Sequence, residues 1–136
     1  MKNSVTISLA ISLLLISTVI GCSPTEVTGY RIIVGARAFT KSIGTSHPEC
    51  GTRDANDKWQ SSHNTANVCV ALDKAVAGKD TLIDLLETYC SGPQFDSGGA
   101  CNPPTDKTVK NQLEVKIRSA ISLYTQTETD LKTLLK

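Results

Sequence analysis

Residues 69–90 read Cys-Val-Ala-Leu-Asp-Lys-Ala-Val-Ala-Gly-Lys-Asp-Thr-Leu-Ile-Asp-Leu-Leu-Glu-Thr-Tyr-Cys. Cys69, Leu72, Val76, Ile83, Leu86 and Cys90 recur on one face of a 3.6-residue period, and only Lys79 stands out of pattern. A second row, Val68, Ala75, Leu82 and Tyr89, widens the stripe. This predicts a helix. Asp57 is the expected start, because Gln60 follows three residues later as in a capping box. Gly78-Lys79-Asp80 is the natural place for a bend, and Asp80 can cap a new segment. The apolar register survives across Gly78, which favours one long helix.

Downstream, residues 91–104 hold Pro93, Gly98-Gly99 and Pro103-Pro104 and read as a loop. A further helix is expected from Thr105 or Asp106, either of which can cap, to the last few residues. Val109, Leu113, Ile117, Ala120, Tyr124, Leu131 and Leu135 mark its apolar face. Upstream, residues 44–57 concentrate Gly, Pro, Asn and Asp and also read as a loop. Before it, Ile32, Ala36, Phe39 and Ile43 predict a helix over 28–43, although Tyr30-Arg31-Ile32-Ile33-Val34 has the composition of a strand. The fold class is therefore all-α: a small up-down-up three-helix bundle over 30–136.

Residues 1–21 have a different character. Met1-Lys2-Asn3-Ser4 carries one positive side chain. An apolar run from Val5 to Ile20 follows, interrupted by Ser or Thr at five places. A charged tip, a short apolar middle and a small-residue exit are the parts of a cleaved export signal. The run is shorter than the ~20 apolar residues of a spanning helix. Its exit, Val19-Ile20-Gly21-Cys22, resembles the lipobox of bacterial lipoproteins. The resemblance implies a diacylglyceryl group on the Cys22 sulfur, cleavage before Cys22 and acylation of the new N-terminus. It also implies localisation in the cell envelope, on the periplasmic face of the outer membrane if the cell is Gram-negative. Residues 22–29 then read as a short polar lipidated tether.

Cleavage there would leave 115 of 136 residues, with 13 basic and 13 acidic side chains, since only Lys2 is lost. No basic tract occurs, so nucleic acid is not an expected partner. With Cys22 set aside, Cys50, Cys69, Cys90 and Cys101 remain, an even number that reads as two disulfides in an exported chain. No C-x-x-C pair occurs to suggest zinc or redox chemistry. A helix rises ~1.5 Å per residue, which puts Cys69 and Cys90 ~30 Å apart. Cys90 shares the lower loop with Cys101, and the upper loop can fold back to bring Cys50 to Cys69. The expected pairs are Cys50–Cys69 and Cys90–Cys101.

The remaining site signals are sparse. His47 and His63, with Glu49 or Asp54, are the only histidine-based metal set to be drawn; the spacing is that of two surface histidines, and neither metal nor cofactor is expected. No G-x-S-x-G elbow accompanies the many Ser and Asp residues, and Ser97-Gly98-Gly99 reads as a loop tip. Lys79 either meets a buried acid or reaches solvent over a packed stem. Trp59 and Phe95 are the candidate partner contacts, with core packing as the plainer reading of each. No catalytic residues are assigned. The expected function is a lipid-anchored protein-binding adaptor or an immunity-like inhibitor of an envelope protein. A structural lipoprotein that self-associates, as in a homodimer burying Tyr89 or Trp59, is the alternative; a hydrolase is the least supported.

Overall fold

The computed structural model of the protein describes residues 23–93 and 100–136. Cys22 and Phe95 therefore lie outside the described residues, as do Ser97, Gly98 and Gly99. The described chain is mostly helical. Helix α1 spans Pro24–Ser46, α2 spans Asn67–Cys90 and α3 spans Lys107–Leu134. Between α1 and α2 come one 3₁₀ turn, Pro48–Cys50, and a two-stranded hairpin, β1 Gly51–Arg53 and β2 Trp59–Ser61. The strands are antiparallel, with Gly51 opposite Ser61 and Arg53 opposite Trp59.

Three local expectations are corrected. First, α1 begins at Pro24, so residues 24–29 are helical rather than an extended tether. Ser23 caps it, its Oγ accepting from Glu26 N–H at 3.2 Å, and Pro24 occupies the first turn, where a missing N–H costs nothing. Second, α2 starts at Asn67, not Asp57. Asp57 sits in a turn with φ 60°. Asp54 builds that turn, its Oδ1 accepting from Asn56 N–H and Lys58 N–H, each at 2.9 Å. The stretch 59–63 therefore belongs to β2 and the connection after it, and His63 is not on a helix. Third, the all-α class needs this hairpin added to it. Helix α2 itself runs unbroken through Gly78.

The apolar stripe of α2 is the centre of the packing. It contacts both α1 and α3, and α1 and α3 also touch. Two clusters lie along it. One joins Ala36, Leu72, Val76, Tyr124 and Leu131 with the Cys50–Cys69 sulfurs; the other joins Ile33, Leu82, Leu86, Tyr89 and Ile117 with Cys90. On α3 the buried positions are Ile117, Tyr124 and Leu131, seven apart. The ends of its expected face, Val109 and Leu135, are exposed. Asp106 caps α3, its Oδ1 accepting from Thr108 N–H at 2.7 Å and Val109 N–H at 3.0 Å.

Two disulfides fasten the connections. Cys50 is bonded to Cys69, tying the foot of the hairpin to the first turn of α2, and Cys90 to Cys101. No described helix is long and apolar enough to cross a membrane.

Candidate functional site

The hairpin folds back over α1 and α2, and its inner side chains are locked there. Trp59 is half-buried on β2 rather than at a helix start. Its indole Nε1–H donates to Asp73 Oδ1 at 2.7 Å, and Ser61 Oγ donates to the other oxygen, Oδ2, at 2.5 Å. A carboxylate on α2 thus holds two alternate residues of one strand, which point to the same side of the sheet. The indole also lies where a side chain at Gly44 or Gly51 would be: a Cβ on Gly44 would be 2.8 Å from Trp59 Cζ3, and one on Gly51 2.7 Å from Cζ2. Small residues on α1 and β1 are what let the ring lie flat.

The turn end of the hairpin forms one wall of a cleft of about 350 Å³. Arg37 comes from α1, Arg53, Asp57, Lys58 and Trp59 from the hairpin, and Lys79 and Asp80 from α2. Arg53 is fixed from several sides. Its Nη1 donates to the Asp57 carbonyl at 2.7 Å, its Nη2 reaches Thr40 Oγ1 at 3.5 Å, and its guanidinium carbon lies 5.9 Å from the Trp59 ring centroid. Lys79 occupies a position of the apolar stripe and is only 8% exposed. Its ammonium meets the carboxylate of the next residue, Asp80, whose side chain is about half exposed. So the acid that Lys79 meets is not a buried one on a neighbouring helix: it is adjacent in the chain and faces outward.

The histidines are accounted for more simply. His47 Nδ1 lies 2.9 Å from Glu49 Oε1, and that hydrogen bond holds the Glu49 carboxyl below its ordinary pKa. His63 has φ 54°, with its backbone N–H donating to Ser61 Oγ at 3.0 Å. Neither histidine belongs to a group of three ligating side chains among the described residues. The two groups that exist, Glu26 with Cys90 and Cys101 and Glu49 with Cys50 and Cys69, contain sulfurs already used in disulfides. A disulfide sulfur is not a thiolate ligand.

At the opposite end, the Tyr89 hydroxyl sits 3.3 Å from Ser23 Oγ and donates to Glu114 Oε1 at 3.0 Å. Burial raises its pKa. Tyr89 is wholly enclosed within one chain, so it offers nothing to a homodimer. Neither the Asp73 lock nor the cleft is marked in the sequence, because both depend on the hairpin. The chain matches no protein-family model, no curated protein and no solved structure.

Proposed function

We propose that this is a lipid-anchored cell-envelope protein that works by binding another protein, as an adaptor or an inhibitor of the immunity type. One observation carries the reading: Ser23, the residue after the lipobox cysteine, already caps helix α1 and contacts Tyr89. A cut before Cys22 leaves that cap and that contact in the mature chain. In this reading the helices are an up-down-up bundle, supported by the packing of α2 against both α1 and α3. A helical scaffold closed by two disulfides suits an oxidising compartment.

The test has two parts. Cys22→Ala is expected to abolish incorporation of labelled palmitate and to move the chain from the membrane fraction to the soluble one, or to stall it uncut. Retention of label and membrane attachment in that variant would end the anchoring proposal. Isolation of the wild-type chain from its own envelope in mild detergent is expected to recover one stoichiometric protein. A self-associating role is the second reading, favoured by exposed Val115 and Leu123 on α3, 58% and 67% accessible. It predicts instead that only the chain itself is recovered, at twice its mass.

A further inference from the structure

We infer that the cleft under the hairpin receives acidic side chains of the protein partner; this rests on the binding role proposed above. Four cations line it, Arg37, Arg53, Lys58 and Lys79, against two acids, Asp57 and Asp80. The lining thus holds two more basic than acidic residues, in a mature chain with 13 of each. Both acids are already engaged. Asp57 Oδ1 lies 3.8 Å from Arg53 Nε and 3.8 Å from Lys41 Nζ, and Asp80 holds Lys79.

The cations come from three separate elements, and two of them are held in place. Arg53 is fixed by Thr40 and the Asp57 carbonyl. Lys79 sits in a stripe position where Ala75, Val76 and Leu82 around it are buried apolar residues. An apolar side chain there would avoid the desolvation of an ammonium. A lysine whose stem is packed and whose ammonium, beside Asp80, lines the cleft is placed to meet an incoming anion instead. The space exceeds a single oxyanion, and its indole wall suits the methylenes of a glutamate. Arg and Trp are also the residue types that anchor protein interfaces, and a cationic cleft steers an acidic partner on approach.

Trp59 is the chain's one tryptophan, so its fluorescence reports on this wall alone. The full chain, purified in detergent, is titrated with acetyl-tetraglutamate, acetyl-tetralysine and inorganic phosphate. The expected result is a saturable change in Trp59 emission with the glutamate peptide only, weakening steeply with salt. Lys79→Met, which keeps the packed stem, and the exposed Lys58→Gln should each weaken it several-fold, with far-ultraviolet circular dichroism unchanged. No saturable change, an equal response to the lysine peptide, or an unaltered response in both variants overturns the inference. Saturation by phosphate with none by the peptide also overturns it, and assigns the cleft to small oxyanions. Partner recovery separates the two proposals. A partner captured equally by Lys79→Met refutes the cleft and spares the binding role; peptide binding without any captured partner does the reverse.

Discussion

Tyr124 is 1% exposed, and its hydroxyl has no hydrogen-bond partner among the described residues. A buried polar group without a partner opposes folding by about 1–3 kcal/mol. Tyr124→Phe is therefore expected to be neutral or to stabilise by about 1 kcal/mol, read from urea unfolding. Asp73 is the converse case, a carboxylate satisfied twice. Asp73→Ala strands the Trp59 N–H and the Ser61 hydroxyl and should cost about 2 kcal/mol, with a red shift in Trp59 emission as the indole meets water. The tyrosines also set an alkaline limit. Burial raises the pKa of Tyr124 and Tyr89, while the unfolded chain releases its phenolic protons near about pH 10. Above that the folded form holds more protons than the unfolded form, so stability falls as pH rises. The urea midpoint should drop from about pH 9 to about pH 11, and drop less in Tyr124→Phe.

At the level of elements, the two disulfides close short loops, with sequence separations of 19 and 11. Chain-entropy reasoning gives each about 3 kcal/mol, slightly more for the longer loop. Replacing Cys90 and Cys101 together by Ala should cost about that much and leave the hairpin formed, as judged by unchanged Trp59 emission. Replacing Cys50 and Cys69 should cost a similar amount and free the hairpin, shifting that emission. How far these elements can be read in the sequence follows from which force sets each one. The stripe from Cys69 to Cys90 is visible because burial itself imposes the period. The cap of α3 is visible to within one residue, as Thr105 or Asp106, because few residue types do that work. The start of α1 was equally marked, by Ser23-Pro24 with Glu26 at the third position, but the polar composition of 23–29 read as a tether. The hairpin was hidden for a different reason. Its strands are three residues each, too short for alternation to register, and Asp57 with Gln60 imitates a helix start. The weak helix formers Ser61, Ser62, His63, Asn64 and Thr65 were the signal against a helix there. The cleft was illegible with it, since three of its four cations lie far apart in sequence and only the folded-back hairpin gathers them.

For the whole molecule, the Ser23 cap and the hairpin lie at opposite ends of α1. Trp59 packs at Gly44, twenty residues beyond Pro24, or roughly 30 Å along the helix axis. In vesicles carrying the lipidated chain, Trp59 should not be quenched by lipids brominated in their acyl tails; strong quenching would mean that the body lies flat on the bilayer. The Ser23 cap has one more result. A protein on a long leash searches a volume; were Cys22 lipidated as proposed, one residue would separate that grease from helix α1, and the chain could only skate. Its hairpin would patrol a thin layer at nearly constant height, and whatever it meets must already be lodged in, or pressed against, the same sheet of lipid.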